Sequence, residues 1–245
     1  MQGQAETEAV LHPAGQRRGH LASVNGFKIF VDDTHYSPVC RQSLDSGTYE
    51  ARERALVSAC LRPGDRVIEL GTAVGVVAMA AAAIAGAANV LTFEANPFIL
   101  ADARANFARN NLPEITSRHA VLANRRLFRP SATARFHLYR DFWTSRLDAA
   151  EGQPGVVHSL NVPVRSLEQE IAAHRANVLI CDIEGGEVAL LTGADLSGIR
   201  TIIMETHYQV VGEARTDAMI RDLILQGFAL HLRASGQEIL LLRRS

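Results

Sequence analysis

A chain of 245 residues is long enough for one domain with a full core and a short extension. Its 25 Lys and Arg nearly balance 26 Asp and Glu, leaving a net charge of -1, so no overall charge draws it to nucleic acid or to an anionic membrane. Cys40, Cys60 and Cys181 are odd in number, scattered and without a C-x-x-C pair. They indicate neither a disulfide framework nor a zinc site, and a reduced, cytoplasmic setting is expected.

The opening Met1-Gln2-Gly3-Gln4-Ala5-Glu6 has no basic or apolar run, so no signal peptide is expected. Residues 1–20 are polar and irregular and predict a mobile arm, part of an N-terminal extension over 1–44. Phe27-Lys28-Ile29-Phe30-Val31 reads as a strand after the turn Asn25-Gly26. Asp45-Ser46-Gly47-Thr48-Tyr49-Glu50 leads into a helix over 50–60, and Pro63-Gly64-Asp65 then launches a strand over 67–70. That apolar strand carries one acid, Glu69, and breaks at Gly71-Thr72-Ala73-Val74-Gly75; an alanine-rich helix follows over 76–88. Glycines in such a turn let a ligand and the helix N-terminus approach bare backbone. The uncharged span 70–93 is long enough to raise a membrane reading, but its turn signature, Ala and Gly content and closing strand argue for buried helix plus strand.

The next strand, 89–93, ends in Glu94 and Ala95, and Asn96-Pro97 caps a helix to about 110. An acid at the tip of the second strand is where nucleoside-binding doubly wound folds hold ribose hydroxyls. A third strand over 116–122 ends near Ala123-Asn124. Over 125–164 the α/β rhythm fails, giving a β-rich insertion with strand-like pieces at 134–139 and 156–164 around Asp141-Phe142-Trp143-Thr144-Ser145-Arg146. Ser166-x-x-Gln169 reads as a capping box. A central strand over 177–181 runs into Asp182-Ile183-Glu184-Gly185-Gly186-Glu187, with a helix to 191 that Gly193 ends. The strand over 199–204 ends in Glu205-Thr206-His207, a helix covers 216–226, and a hairpin over 228–242 turns at Ser235-Gly236-Gln237.

Glu69-x-Gly71-x-x-x-Gly75 resembles the first motif of class I S-adenosylmethionine-dependent methyltransferases, and Ala73 stands where a dinucleotide fingerprint needs glycine. Cys181-Asp182-Ile183-Glu184-Gly185-Gly186-Glu187 is similar to the D-V-E-G-x-E motif of the FkbM-type family of such enzymes. Val162-Pro163-Val164-Arg165-Ser166-Leu167, Ile203-Met204-Glu205-Thr206-His207 and Gly47-Thr48-Tyr49-Glu50 resemble its flanking blocks, in the right order over about 45–210. The resemblance implies an α/β, doubly wound Rossmann-like sheet of order 3-2-1-4-5-7-6 with the last strand antiparallel, in a methyltransferase domain over 45–245. It implies S-adenosylmethionine as cofactor, S-adenosylhomocysteine as product, and O-methylation of a small molecule, sugar, glycan or natural product. The cofactor residues it implies are Glu69, Gly71, Thr72, Ala73, Gly75, Glu94, Ala95, Asn96, Ala123 and Asp182. Two departures stand out: the family's usual D-x-G-A-N-x-G has Glu69 for its Asp and Ala73 for its Asn, leaving loop contacts to backbone and Thr72.

Methyl transfer from a sulfonium is an in-line displacement, and a hydroxyl acceptor needs a general base. Asp182, Glu184 and His207 sit just past strand ends, where ligands bind in doubly wound sheets, and His207 has the ionisation range of a base near neutrality. Tyr49, Glu50, Trp143, Ser145 and Arg146 are the candidate substrate residues. Asp182, Glu184, Glu205 and His207 together would also suit a divalent metal, although their spacing is no metal fingerprint and none is expected. Arg118, Arg125, Arg126, Arg129, Arg135, Arg140 and Arg146 outnumber Asp141 and Asp148 around the insertion, as a solvated basic face or as readers of an anionic acceptor. The rival functions are an RNA methyltransferase and a non-catalytic cofactor-binding protein of the same fold. No membrane or nucleic-acid partner is expected, and oligomeric state is left open.

Overall fold

The computed structural model describes residues 17–147, 153–236 and 238–244. The arm before residue 17, Asp148 and Gln237 lie outside the described residues. The chain opens on a hairpin, β1 (Gly19–Val24) and β2 (Phe27–Asp32), in register from Gly19↔Asp32 to Val24↔Phe27. Its turn needs positive φ at both central residues, and Asn25 (φ 53°) and Gly26 (φ 83°) supply it. Residues 17–20 thus belong to a docked element. Arg17 closes the hairpin with an ion pair to Asp32 and a second to Asp102. A helix outside the sequence-based expectation, α1 (Pro38–Asp45), follows; Ser37 caps it and Pro38 opens it. Cys40 and Leu44 from α1 join Val24, Ile29 and Val31 in the main core, so α1 carries the chain through the expected boundary at 44/45 without a break.

The body alternates α2 (Ala51–Cys60), β3 (Val67–Leu70), α3 (Val76–Ala85), β4 (Val90–Glu94), α4 (Pro97–Arg109) and β5 (Thr116–His119). After an excursion it resumes with α5 (Leu167–His174), β9 (Val178–Cys181), α6 (Glu187–Leu191), β10 (Thr201–Glu205), α7 (Tyr208–Val211), α8 (Glu213–Leu225), β11 (Phe228–Leu230) and β12 (Ile239–Arg244). The seven-stranded sheet runs β11-β12-β10-β9-β3-β4-β5, with β12 antiparallel to both neighbours. Counted by core strands this is the 3-2-1-4-5-7-6 order with an antiparallel last strand.

The central strands β3 and β9 are buried at every position because helices cover both faces. Val67, Val178, Ile180 and Ile203 pack toward α2, α3 and α4, while Ile68, Leu179, Ile202 and Met204 face α5, α6 and α8. Helix α3 is buried on almost every side, against the sheet and against α2, which explains its uncharged alanine-rich composition. Cutting its fully buried Met79 to Ala should cost about 2–5 kcal/mol by the cavity left behind. The span 70–93 is thus loop, helix and strand, and no helix among the described residues is long and apolar enough to cross a membrane.

The expected third strand over 116–122 divides. β5 pairs with β4 as far as Glu94↔His119, and the Ala120 N–H donates to the Glu94 carbonyl. The chain then leaves the main sheet as β6 (Val121–Ala123), which pairs parallel with β8 (Val156–Ser166). β7 (Thr133–Tyr139) pairs antiparallel on the other side of β8, completing a three-stranded sheet. Phe136, Leu138 and Val162 pack this sheet onto Ala95, directly after the tip of β4.

Candidate active site

The strand ends of β3, β4 and β9 and the insertion sheet enclose a cavity of about 370 Å³. That falls in the range of about 300–1,000 Å³ usual for small-molecule sites. Gly71, Ala73, Glu94, Ala95, Asn96, Ala123, Asp182 and Glu184 line it, as do Tyr49, Glu50, Trp143 and Ser145. Of the sequence-derived candidates, Glu69, Thr72, Gly75, Arg146 and His207 are not in its wall.

The glycines of the first loop serve the protein's own packing. A Cβ on Gly71 (φ 85°) would lie 1.7 Å from the Asp182 carbonyl oxygen, because the β3 and β9 loops cross there. One on Gly75 (φ 89°) would lie 2.5 Å from the Phe107 ring of α4. Ala73 sits between them at φ 46°, a conformation that Asn tolerates better than Ala. Its N–H donates to Glu94 Oε2 at 3.0 Å, and the Asn96 N–H donates to Glu94 Oε1 at 2.8 Å. Glu94 therefore ties the two loops together, with lone pairs left over on each oxygen. Burial raises its pKa against these bonds, which pull it down.

Behind this loop, Thr72 turns its hydroxyl to that of Thr92 on β4, so it supplies no side chain to the cavity. Glu69 is buried on the α3 side, and burial pushes its pKa up to about 8, with Thr92 and the Ala78 backbone opposing. The Asn96 side chain caps α4, accepting from Phe98 and Ile99 N–H. Ala123 lines the cavity, but Asn124 does not: its amide donates to the carbonyls of Ala189, Leu190 and Thr192, closing the end of α6.

Strands β9 and β10 build the other end. Glu187, fully buried at the start of α6, accepts through Oε1 from the Ile183 N–H (2.9 Å), the Gly185 N–H (3.4 Å) and His207 Nδ1 (3.0 Å). It holds the loop after β9 and orients His207 at once. In the sequence Glu187 stands out only as the third acid of the motif over 181–187, which is its one signal. His207 Nε2 faces Glu184 Oε2 at 3.3 Å and Asp182 Oδ1 at 3.7 Å. These carboxylates, not the imidazole, reach the cavity.

Burial alone would lower the His207 pKa, but the Glu187 hydrogen bond and the charges of Glu187, Asp182 and Glu184 outweigh it and raise it to about 9. Burial raises the Glu184 pKa to about 7, with His207 opposing, and holds Asp182 well above the usual carboxylate range, helped by Glu205 and Glu184. A histidine so placed is protonated at neutrality, which changes the role expected of it as a base. Glu184 takes a left-handed conformation (φ 55°), as do Glu50 (φ 48°) and Ala73 (φ 46°). All three line the cavity, and non-glycine residues held in this region are characteristic of functional sites.

The insertion supplies Phe136, Phe142, Trp143, Ser145 and Leu147 to the far wall. Of these, sequence reasoning proposed only Trp143 and Ser145. Ser145 Oγ accepts from the Tyr139 N–H at 3.0 Å. Arg146 instead lays its guanidinium over the Tyr139 ring, 4.9 Å from the centroid. Arg126 packs against Gly193, Arg129 bonds to backbone carbonyls, and Arg125 lies 4.0 Å from Asp195. No Arg, Lys or His is among the described residues lining the cavity, whereas Glu50, Glu94, Asp182 and Glu184 are.

A search of curated proteins found no match. Solved structures to which the chain is similar include ribosomal protein L11 methylase from Lactobacillus delbrueckii subsp. bulgaricus, at 14% identity and a TM-score of 0.44, covering 82% of this chain and 81% of that one. P. horikoshii TYW2 in complex with MeSAdo aligns at 12% identity and a TM-score of 0.42, over 94% of this chain and 71% of that one. Aeropyrum pernix fibrillarin, with natively bound S-adenosyl-L-methionine, aligns at 11% identity and a TM-score of 0.39, over 96% and 86%. A family model described as the methyltransferase FkbM domain matches residues 69–230, from Glu69 in β3 to the end of β11. Every wall of the cavity except Tyr49 and Glu50 falls within that match. The chain belongs to the FkbM methyltransferase family.

Proposed function

We propose that the chain transfers the methyl group of S-adenosylmethionine to a hydroxyl of a small molecule, sugar, glycan or other natural product. The observation that carries this reading is the charge of the cavity wall: four carboxylates and no basic side chain among the described residues. Such a wall suits a cofactor that bears a sulfonium and an ammonium, and disfavours phosphate-bearing acceptors. Glu50 Oε2 and Asp182 Oδ1 are buried without hydrogen-bond partners, so the wall also has acceptor atoms to spare.

In this reading Glu94 binds the ribose hydroxyls through its remaining lone pairs, Ala95, Asn96 and Ala123 flank the adenine, and Glu50 faces the ammonium. The bound cofactor supplies an electrophilic methyl group. The protein aligns the acceptor oxygen with it and removes the hydroxyl proton. Glu184 takes that proton, since it lines the cavity, and His207 behind it offsets the charge of the neighbouring acids. Phe142 and Trp143 give the acceptor an apolar face.

Calorimetry with S-adenosylhomocysteine tests the cofactor half. Binding is expected, and Glu94→Gln should weaken it about tenfold or more, since each hydrogen bond to a charged group is worth about 1.5–3 kcal/mol. Mass spectrometry of hydroxylated acceptors, with labelled methyl donor, tests the other half. Labelling only on nitrogen or on RNA would sink the hydroxyl reading.

A further inference from the structure

Asp182 at the end of β9, and Glu205 and His207 at the end of β10, each turn one ligand atom toward the others, all within 4.8 Å. We propose that these three side chains bind a divalent metal ion, which holds the acceptor hydroxyl beside Glu184. The proposal rests on the reading of this end of the cavity as the acceptor's.

The orientation of the imidazole is the first argument. Glu187 Oε1 already takes two backbone N–H groups and is an acceptor only, so His207 Nδ1 donates to it. Nε2 is thereby aimed at Glu184 (3.3 Å) and Asp182 (3.7 Å), and a metal ion that displaces its proton finds a lone pair and two carboxylates converging on one point. The ion takes the place of that proton and keeps the same partners. A buried carboxylate on the far ring nitrogen is the arrangement that orients metal-bound histidines.

Charge is the second argument. Asp182, Glu184, Glu187 and Glu205 gather here, and among the described residues His207 is the only cation in ion-pair contact with any of them. Asp182 Oδ1 is shielded from solvent and accepts no hydrogen bond. One imidazolium offsets a single charge, whereas a divalent ion offsets two and uses the orphaned oxygen. One imidazole and two carboxylates suit Mn²⁺, Fe²⁺ or Zn²⁺, and leave coordination positions for an acceptor oxygen and water.

The test titrates the chelator-treated full chain with Mn²⁺ alone, followed by electron paramagnetic resonance, and with Zn²⁺ by calorimetry. One saturable site per chain is expected, weakened at least tenfold in Glu205→Gln and in His207→Gln. Both variants should still bind S-adenosylhomocysteine, which reports that they are folded. If neither ion saturates a site, or if both variants bind as the parent does, the proposal is overturned. A variant that fails to fold leaves the parent titration and the other variant to decide. Methyl transfer to a hydroxyl that proceeds undiminished in chelator would also overturn it while leaving the proposed function intact. Saturable binding lost in the variants, with no hydroxyl methylated, would uphold the ion site and remove the function.

Discussion

The two ends of the cavity hold their carboxylates in opposite ways. At the β3–β4 end Glu94 accepts backbone N–H groups from both flanking loops, from Ala73 at 3.0 Å and Asn96 at 2.8 Å. At the β9–β10 end Asp182 and Glu184 crowd one imidazole, and Asp182 Oδ1 has no hydrogen bond. The first carboxylate is part of the frame that shapes a loop. The second pair is held in a conformation that local forces oppose, which is how reactive groups are kept available.

The contrast predicts different losses at the two ends. Glu184→Gln should lower kcat by ~10²–10⁴, the usual worth of a general base, with S-adenosylhomocysteine affinity little changed. Near-parent turnover would show that the crowding at this end is structural. Removing a buried acid behind the frame should act on stability instead. Glu69 has a folded pKa of about 8 against an ordinary value of 4.5. Between those values the unfolded chain is ionised at this position and the folded chain is not. Stability in the free chain should therefore be full below the lower value, fall as pH rises to the upper one, and stay level beyond. Glu69→Gln should remove this loss, gaining on the order of a few kcal/mol over the parent at pH 8 relative to pH 5. Urea midpoints at the two pH values measure it, and parallel pH profiles for parent and variant would refute it. The smallest effect belongs to the loop backbone. Ala73→Asn, at φ 46°, should raise stability by about 1 kcal/mol, read as a higher Tm. Gly75→Ala should do the reverse, since its Cβ would meet Phe107.

The same contrast marks how much the sequence disclosed. The β3–loop–α3 unit and the place of Glu94 were legible because each rests on neighbours within one βα turn, whereas the strand order came from the family resemblance, since β3 pairs with the distant β9. The apolar runs of β9 and β10 announced the strands, and the acids after them announced a site. Which way His207 turns was not legible, because it depends on Glu187, 20 residues away in sequence and on another element. Helix α1 was missed although Ser37-Pro38 is a start signal and Cys40 and Leu44 stand four apart on one face; the helix is only eight residues long, and its stability comes from packing those two side chains into a core built elsewhere. The break at Ala120 was hidden for a related reason. Thr116 to Ala123 is uniformly strand-like, and only the competing partners β4 and β8 divide it.

That break sets the geometry of the excursion's two ends. The chain leaves through β6 and returns through β8 as hydrogen-bonded neighbours, Val121 facing Val164 and Ala123 facing Ser166. Residues 124–163 thus form a cassette whose two ends lie side by side, and closing another segment across them asks little of the chain. Exchanging that cassette between members of the family would trade the wall holding Phe136, Phe142 and Trp143 for another, leaving the ladders of β3, β4 and β9 uncut. Acceptor range could then diverge quickly on a cofactor site that stays the same.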